Sequence, residues 1–470
     1  MIDFILNNTH IKTDENAGVT LLDFIRENQQ LKGTKIGCRE GDCGACTVLT
    51  GTLQKDKTVN YESITSCISP LGNAQGKHIV TVDGTNLVDQ LTFAQQAMTD
   101  NYATQCGFCT PGFVVSLTGL ALKKSIISYD DGLNAVSGNI CRCTGYKSIE
   151  KASNQVVDSL QKKDSKKSIE WLINNKFIPA YFETIPKKLA AIGIKLVANK
   201  SKNYVAGGTD LYVRHADTLA EENVHLLTTN KEIGGISFYK DTCVIDASTT
   251  VTDMMYNNNM QAYFPDIQAY LKLVSSEPIR NMATIAGNFI NASPIGDMTI
   301  LFLALDAKIT VKNSNGKLRT ILLKDFYTSY KVFDLKKDEI IINITFEVPD
   351  RSHHFNFEKV SKRTHLDIAS VNAAINIKTN GKIIENVHLA VGGVAPIPKY
   401  LHKTATFLTK KEITFEVLRA ANLVMQEEIS PISDVRGSSD YKRLLARQLF
   451  FAHFTKLFPK IVNLTDLVAL

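Results

Sequence analysis

The first eighty residues of the chain alternate short apolar runs with turn-forming polar residues. Phe4-Ile5-Leu6 and Ile11-Lys12-Thr13 flank the pair Asn7-Asn8, an arrangement typical of a β-hairpin with an Asn-rich turn. Four apolar side chains then follow at helical spacing between residues 21 and 25, which indicates one short helix. A loop rich in Gly and Cys occupies residues 33–46. The pattern therefore predicts a small unit of strands around a long loop.

The apolar spacing changes to a helical period between residues 84 and 160. Leu87, Leu91, Ala94 and Met98 recur every three or four residues and predict one helical face. A second predicted face consists of Phe113, Leu117, Leu120 and Ala121. This part of the chain is therefore predicted to be a helical domain.

The remaining two thirds of the chain mix both patterns. Residues 158–168 are polar, contain four Lys and have no apolar face, so we expect an exposed linker there. From 168 to 350, short β-rich runs alternate with helical ones, which indicates an α+β domain. A last region has β-rich runs at 373–377 and 387–391 before a helical tail.

Composition excludes several classes of protein. The chain has 470 residues, of which 44% are hydrophobic and 21% charged, and this suits a globular protein of two to four domains. The net charge of +6 is spread out, so nucleic-acid binding is not expected. The longest apolar run, near 300–305, is far too short to span a membrane. The first residues show no secretory signal, so we expect a cytoplasmic protein.

The cysteines indicate a site for metal chemistry, because eight of the nine Cys lie in the first third of the chain. Cys38, Cys43 and Cys46 have the spacing C-x4-C-x2-C and are followed by Cys67, as in plant-type 2Fe–2S ferredoxins. The surrounding Gly residues allow backbone N–H groups to approach the sulfur atoms. Zinc or four free thiols are the alternatives, but zinc sites usually have paired C-x2-C knuckles. The spacing therefore favours an iron–sulfur cluster.

A second set of four thiols follows in the helical region. Cys106 and Cys109 form C-x2-C, and Cys141 and Cys143 form C-x-C. A zinc ion and a second iron–sulfur cluster are equally compatible with this spacing. The spacing alone leaves that choice open.

A Gly-Gly turn marks a candidate phosphate-binding loop. Val205-Ala206-Gly207-Gly208-Thr209-Asp210-Leu211 follows a short β-like run, and its N–H groups could receive a pyrophosphate. Such a turn is more often an ordinary helix cap, with Thr209 or Asp210 as the capping residue. No G-x-G-x-x-G motif follows a predicted strand, so a Rossmann nucleotide site is not supported.

The cysteine motifs resemble a known module. GTKIGCREGDCGACTV (33–48), QCGFCTPGFV (105–114) and GNICRCTGY (138–146) look like the two-cluster part of the xanthine oxidase family of molybdenum hydroxylases. The resemblance implies a 2Fe–2S cluster on each set, and all eight Cys match it. The implied ligands are Cys38, Cys43, Cys46, Cys67, Cys106, Cys109, Cys141 and Cys143.

The same family's two FAD loops are similar to AGGTDL (206–211) and to residues 280–297. The resemblance implies FAD contacts from Tyr204, Val205, Ala206, Gly207, Gly208, Thr209, Asp210, Leu211, Thr284, Gly287, Asn288, Asn291 and Asp297. Ile341 falls where an apolar residue packs on the cofactor, although a plain core position explains it equally well. Lys359 lies within one residue of a basic family position.

The resemblance covers nearly the whole chain and implies a multidomain α+β fold. It places a β-grasp 2Fe–2S ferredoxin domain at 1–83 and a four-helix 2Fe–2S domain at 84–157. The linker 158–168 leads to a two-part α+β FAD-binding domain of the PCMH type at 169–350. An α+β flavoprotein C-terminal subdomain is expected at 351–470.

The implied function is electron transfer. The family's molybdopterin portion has no counterpart in these residues, so it is expected on a large partner subunit, in a heterodimer that dimerises further. Electrons would pass from that site through two 2Fe–2S clusters to FAD and on to NAD, as in the xanthine dehydrogenase class (EC 1.17.1.4), with no catalytic residue in this chain. The alternatives are a related aldehyde or N-heterocycle dehydrogenase, a stand-alone flavin-dependent ferredoxin reductase, or a zinc scaffold.

Overall fold

A computed structural model describes residues 1–123, 127–193, 203–228, 235–363 and 366–462. Parts of the predicted FAD-binding domain (194–202 and 229–234) and the end of the predicted C-terminal subdomain (463–470) lie outside the described residues. The contacts divide the chain into two units. The first comprises residues 1–231 and 276–283, and the second comprises 232–275 and 284–470. Each unit is described by itself.

The first unit begins with a five-stranded mixed sheet. Its strands are β1 (Ile2–Leu6), β2 (Thr9–Thr13), β3 (Thr47–Leu53), β4 (Val59–Thr65) and β5 (His78–Val80), in the order β2-β1-β5-β3-β4. β1 runs parallel to β5, and the other neighbours are antiparallel. Asn7 takes a positive φ of 54° in the turn between β1 and β2, which confirms the predicted hairpin. This is the β-grasp arrangement expected for a ferredoxin-like domain.

Helices follow the sheet. They span Val82–Thr85, Phe93–Asp100, Thr110–Leu122, Tyr129–Val136, Lys147–Leu160, Ser168–Asn174 and Ile185–Ile192. The predicted face of Phe113, Leu117, Leu120 and Ala121 is confirmed, because all four are buried in the helical core. The helix Thr110–Leu122 is apolar on nearly every side and occupies the centre of this domain.

One predicted helical face is partly wrong. Leu87 and Leu91 lie outside any helix, and Leu91 is exposed. The helix begins only after Thr92, whose hydroxyl accepts from the N–H of Gln95 while the Gln95 side chain accepts from the N–H of Thr92. This reciprocal capping fixes the helix start, so of the four predicted residues only Ala94 and Met98 belong to the buried face of the helix.

The connection after the helical domain is short. The helix Lys147–Leu160 reaches into the segment that the sequence assigns to a linker, and the Lys163 ammonium donates to the carbonyls of Ala121 and Lys123. Beyond the linker, Leu172 and Phe177 pack in the helical core. The domain boundary at 168 stays a prediction, but packing joins these residues to the helical domain.

The first unit also contains the first candidate flavin segment. β6 (Tyr204–Val205) pairs in parallel with β7 (His225–Leu226), and the helix Leu211–Glu221 lies between them in sequence. Val205, Tyr212 and Leu226 are buried in the core of the ferredoxin-like domain. This segment is thus packed on the domain that carries the first cysteine set.

The second unit has a five-stranded antiparallel sheet and a two-stranded ribbon. Its strands are β8 (Ile236–Tyr239), β9 (Thr242–Asp246), β10 (Lys308–Asn313), β11 (Leu318–Leu322), β12 (Tyr327–Ser329), β13 (Val332–Phe333) and β14 (Glu339–Glu347). The sheet order is β11-β10-β14-β9-β8, and β12 pairs with β13. The helices that accompany it are Val251–Tyr256, Asn258–Tyr263, Ile267–Lys272, Ile285–Asn291, Asp297–Ala304 and Leu323–Phe326. Every residue of Met298–Ala304 is buried, so that helix forms the centre of this region.

A second sheet and three helices end the second unit. The strands β15 (His353–Val360), β16 (Val371–Asn380), β17 (Ile383–Gly392) and β18 (Lys399–Tyr400) pair antiparallel in chain order. The helices are His402–Leu408, Phe415–Glu428 and Ser439–Leu457. The predicted β runs at 373–377 and 387–391 are confirmed within β16 and β17. In the described part of the chain, no helix combines the length and the apolar character needed to cross a membrane.

A buried histidine makes the ferredoxin-like domain sensitive to acid. His78 has no exposed surface, and its ring nitrogens bond the Tyr61 hydroxyl and the Asn7 carbonyl, each at 2.8 Å. Burial lowers the pKa of His78 to about 3, below the ordinary 6.5. The unfolded chain therefore binds the extra proton between these values, and stability falls as the pH drops below about 6.5.

We expect this histidine to cost about 2 kcal/mol of stability on going from pH 8 to pH 5. Urea unfolding at several pH values should therefore show a weaker acid sensitivity in His78→Gln than in the parent chain. Equal pH slopes for the two proteins would show that His78 is not the acid-sensitive group.

Candidate functional site

The first cysteine loop surrounds its sulfur atoms with backbone N–H groups. Cys38 Sγ accepts three such bonds at 3.3 to 3.4 Å, from Glu40, Asp42 and Cys43. Cys43 Sγ accepts a further bond at 3.4 Å from the N–H of Cys38. Donors of this kind stabilise negatively charged sulfur and raise the reduction potential of a bound cluster.

The four thiols of this set converge. Cys46 and Cys67 are buried, and Cys67 lies in the short turn Ser66–Ile68 that follows β4. Hydrogen bonds from Cys43 and Cys67 lower the pKa of Cys38. The pKa of Cys67 is raised by its contacts with Cys38 and Cys46 and by burial. Four thiols linked in a chain of contacts, with surrounding N–H donors, fit a 2Fe–2S cluster.

A glycine makes room for this geometry. A Cβ atom on Gly37 would lie only 2.5 Å from Cys43 Sγ, well inside the contact distance of the two atoms. A side chain at this position would displace the Cys43 sulfur. The glycine is therefore required by the close approach of backbone and sulfur.

The second set is arranged in two pairs. Cys106 and Cys109 stand just before the helix Thr110–Leu122, and Cys141 and Cys143 lie in the loop after the next helix. The Sγ atoms of Cys106 and Cys143 are 3.6 Å apart, while Cys109 hydrogen-bonds Cys141. Two thiol pairs from two loops suit a four-Cys 2Fe–2S cluster. Among the described residues, no group of three or more His, Cys, Asp or Glu has the geometry to hold a single metal ion as it stands.

In each contacting pair, Cys106 with Cys143 and Cys109 with Cys141, one thiol favours the charged form. Burial raises the pKa of Cys109 to about 12, and its contact with Cys141 adds to that. Burial also acts to raise the pKa of Cys141, but the hydrogen bonds from Thr144 outweigh it and the pKa is lowered. The Phe108 N–H lowers the pKa of Cys106. Two of the four thiols, Cys106 and Cys141, are therefore favoured as thiolates.

A direct hydrogen bond joins the two cysteine sets. The N–H of Ile140, the neighbour of Cys141, donates to the carbonyl of Cys43 at 2.9 Å. The Asn139 side chain donates to the carbonyl of Gly44 at 3.0 Å. The two loops are thus held together by backbone contacts at the residues that flank their sulfur atoms.

The first candidate flavin segment ends at a helix start that has no side-chain cap. Asp210 stands at the N-cap of the helix Leu211–Glu221 without a side-chain capping bond, and it instead pairs with Arg214 at 3.0 Å. The Asp210 side chain therefore does not cap this helix. The N–H groups of Tyr212 and Val213 donate to the carbonyls of Gly208 and Asp210, while the positive end of the helix dipole suits an anionic phosphate. Tyr204, Val205, Ala206, Thr209 and Leu211 lie in the same segment.

Packing explains the Gly-Gly pair of this segment. A Cβ on Gly207 would lie 1.9 Å from the Met282 carbonyl oxygen, and Gly208 has a φ of +82°. The Asn73 side chain donates to the Ala206 carbonyl at 3.2 Å. The turn is therefore held from both sides within the first unit.

The second candidate flavin segment begins at a capped helix. Thr284 is the N-cap of the helix Ile285–Asn291, and its hydroxyl accepts from the N–H of Gly287 at 3.1 Å. The Asn288 side-chain Oδ1 accepts from the N–H and the hydroxyl of Thr299. The Lys331 ammonium donates to Asn291 at its backbone and side-chain oxygens. The segment is thus fixed by residues on either side of it.

Two sequence-predicted residues, Asp297 and Lys359, meet in the second unit. Lys359 Nζ lies 2.7 Å from Asp297 Oδ2 and also donates to the Leu273 carbonyl at 2.7 Å. Only 1% of the Lys359 side chain and 11% of the Asp297 side chain are exposed. Ile341 is buried in β14, opposite Val311 of β10. This position is compatible both with a core residue and with a residue that packs on FAD.

Sequence reasoning missed the residues that support these segments from a distance. Asn372 donates to Asp297 and to the Ile295 carbonyl, and it is completely buried in β16. The Asn73 side chain donates to the Ala206 carbonyl in the first segment, and the Lys331 ammonium donates to Asn291 in the second. One signal was available: Asn372 and Asn376 interrupt an otherwise apolar strand, which is unusual for buried positions.

Four family models match the chain in succession. They describe a 2Fe-2S iron-sulfur cluster binding domain (residues 4–71), a [2Fe-2S] binding domain (81–154), an FAD binding domain in molybdopterin dehydrogenase (180–350) and a CO dehydrogenase flavoprotein C-terminal domain (357–457). The match to two 2Fe–2S models resolves the choice between zinc and iron that spacing leaves open. The predicted multidomain α+β fold is confirmed.

Sequence relatives point the same way. Xanthine dehydrogenase of Oryza sativa subsp. japonica is 27% identical over 94% of this chain and 38% of its own length. Xanthine dehydrogenase of Emericella nidulans is 28% identical over 98% of this chain and 39% of its own length. The chain thus spans about two fifths of the length of these relatives.

Solved structures share the fold of about half of the chain. Carbon monoxide dehydrogenase from Hydrogenophaga pseudoflava has a TM-score of 0.51 at 24% identity, covering 55% of this chain and 90% of that one. Reconstituted CO dehydrogenase from Oligotropha carboxidovorans has a TM-score of 0.50 at 25% identity, over 53% of this chain and 86% of that one. Together with the two complete cysteine sets and the order of the domains, these likenesses show that the chain belongs to the xanthine oxidase family of molybdenum hydroxylases, of which it contains the iron–sulfur and FAD-binding part.

Proposed function

We propose that the chain relays electrons from a molybdopterin site on a partner subunit, through two 2Fe–2S clusters and one FAD, to NAD. The observation that carries this proposal is the pair of complete four-thiol sets, joined by the hydrogen bond between Ile140 and Cys43. Two linked cluster sites and a flavin-binding domain in one chain suit a path between redox sites. Neither a stand-alone zinc scaffold nor a simple reductase needs that linkage.

The residues proposed to hold the clusters are the eight Cys of the two sets. The residues proposed to contact FAD are Tyr204 to Leu211, Thr284, Gly287, Asn288, Asn291, Asp297, Ile341 and Lys359. When bound, the clusters supply one-electron carriage, and FAD supplies the exchange between one and two electrons. The protein itself sets the surroundings of each carrier.

The surroundings of the two sets differ. N–H donors crowd Cys38, whereas Cys106 and Cys143 of the second set are exposed. Hydrogen bonding and solvent exposure both shift the potential of a cluster, so the two sets are expected to have different potentials. For one-electron carriers, each 59 mV changes the equilibrium about tenfold. These differences would give the relay its direction.

Two exposed aromatic side chains close in sequence to the second set support a partner there. Tyr102 is 85% exposed and Phe108, which lies between Cys106 and Cys109, is 47% exposed. Exposed aromatic side chains are enriched where proteins bind one another. We therefore place the molybdopterin subunit against this surface, where it would cover the exposed thiols.

The relatives support two candidates for the substrate. The xanthine dehydrogenases favour xanthine as the substrate. The CO dehydrogenase structures favour the second candidate, a related dehydrogenase with another substrate, such as an aldehyde or an N-heterocycle. The substrate pocket would lie on the partner, so assays with that subunit separate the two candidates.

We expect the isolated, fully loaded chain to contain about four iron, four acid-labile sulfide and one FAD, as two 2Fe–2S clusters require. It should oxidise NADH with an artificial acceptor through FAD. It should not hydroxylate xanthine or an aldehyde. Addition of the molybdopterin subunit should restore NAD reduction driven by the substrate, and elemental analysis with steady-state assays measures each step.

The same chain with its FAD removed is the control, and it should lose NADH oxidation while retaining both clusters. Zinc in place of iron would exclude the relay. Hydroxylation of a heterocycle by the chain alone would show a catalytic site within it and would also contradict the proposal.

A further inference from the structure

The strand β16 carries a buried amide that reaches the second flavin segment. Asn372 Nδ2 lies 2.6 Å from Asp297 Oδ1 and 3.2 Å from the Ile295 carbonyl oxygen. Asn372 has no exposed surface. One amide group therefore holds both the Ile295 carbonyl and the Asp297 carboxylate at the end of the segment.

The Asp297 carboxylate is fixed at both oxygens. Oδ1 receives the Asn372 amide, and Oδ2 receives the Lys359 ammonium at 2.7 Å. Each oxygen of a carboxylate can accept two hydrogen bonds, so one acceptor position on each remains available to a further donor. The carboxylate is thus held in one orientation with acceptor capacity left over.

The strand beside β16 is shaped around this amide. Gly392 of β17 pairs with Asn372, and a Cβ on Gly392 would lie 2.0 Å from Asn372 Oδ1. Asn372 Oδ1 is buried and has no hydrogen-bond partner among the described residues. An unpartnered buried amide oxygen costs free energy, so the position is not explained by stability alone.

We propose that Asn372 is a positioning residue for the flavin, acting through Asp297 and the Ile295 carbonyl. This inference rests on the proposed function, because it takes Asp297 as an FAD contact. Asn372 does not itself touch the cofactor in this role. It fixes the Asp297 carboxylate so that a hydroxyl or N–H donor of FAD meets an acceptor already in place, which lowers the cost of ordering on binding.

The same strand offers a matched control. Asn376 is four residues further along β16, on the same face, and is also buried with an unpartnered Oδ1. It contacts neither Asp297 nor Ile295. A general effect of replacing a buried Asn in this strand would therefore appear at both positions, whereas a positioning effect would appear only at Asn372.

The first experiment titrates FAD into the full chain, with both clusters in place and the flavin removed, and follows the quenching of flavin fluorescence. Asn372→Leu keeps the shape of the side chain and removes its donor. We expect its FAD affinity to fall at least about tenfold, the usual effect of losing a hydrogen bond to a charged group. Asn376→Leu should bind FAD as the parent does.

The second experiment uses Asn372→Asp and the pH profile of FAD affinity. The charged groups that face this position are Asp297 and, through it, Lys359. Two adjacent carboxyl groups raise the pKa of one of them. We expect weak binding at about pH 8 and stronger binding as the pH falls, because a protonated carboxyl can donate to Asp297 as the amide does. Asn376→Asp should lack this gain.

The outcomes separate the two proposals. A parent chain that binds FAD, with unchanged affinity in both Asn372 variants, would overturn the positioning role and leave the relay intact. A parent chain with no affinity for FAD would overturn the relay and this inference with it. Should Asn372→Leu fail to fold, as judged by iron content and circular dichroism, the pH profile of Asn372→Asp decides.

Discussion

Cys43→Ser and Cys109→Ser are expected to remove different iron–sulfur clusters. The thiols of each set contact one another and not those of the other set: Cys43 bonds Cys38, and Cys109 bonds Cys141. A serine hydroxyl is a poor replacement for a soft thiolate ligand of iron. Each variant should therefore hold about two iron atoms, and low-temperature EPR of the reduced protein should lose one of its two signals.

Cys243→Ser is the matched control for these variants. Cys243 is buried in β9, in the second unit, and belongs to neither set. Its replacement should leave the iron content and both EPR signals unchanged. Loss of the same signal in Cys43→Ser and in Cys109→Ser would mean that the ligands are grouped wrongly. Loss of both signals in either variant would show that the Ile140 to Cys43 contact couples the assembly of the two clusters.

Local patterns in the sequence predicted the cysteine sets and most of the secondary structure. The Asn7 turn and the C-x4-C-x2-C loop depend on residues that are close in sequence, so the sequence alone predicts them. Leu87 and Leu91 show where this fails. Their spacing continues the helical period, but the capping box at Thr92 starts the helix later, and a periodicity count does not include capping.

Contacts between distant parts of the chain were beyond local patterns. Gly207 is required because the Met282 carbonyl approaches it from a segment some 75 residues later. Asp297, Lys359 and Asn372 come from a helix and two strands, and only the folded sheet brings them together. The family resemblance pointed to Asp297 and Lys359, while nothing in the spacing of the chain joined them to each other.

The buried ion pair of Lys359 and Asp297 gives the largest stability prediction. Lys359→Met is expected to lower the free energy of unfolding by about 3–5 kcal/mol, because it leaves the Asp297 carboxylate buried without its counter-charge. Urea unfolding followed by circular dichroism measures the loss. A second change, Asp297→Asn in the Lys359→Met background, removes the stranded charge and should recover part of the lost stability.

Lys442 provides a closely matched control for this prediction. Its side chain is 3% exposed, and like Lys359 it donates to one carboxylate and one carbonyl, those of Asp434 and Ile432. The difference lies in the partner, because 40% of the Asp434 side chain is exposed, against 11% for Asp297. Water can therefore solvate Asp434 once its counter-charge is removed, and Lys442→Met should cost less than Lys359→Met. Equal losses in the two variants would show that the packing of the lysine stem, and not the stranded carboxylate, sets the cost.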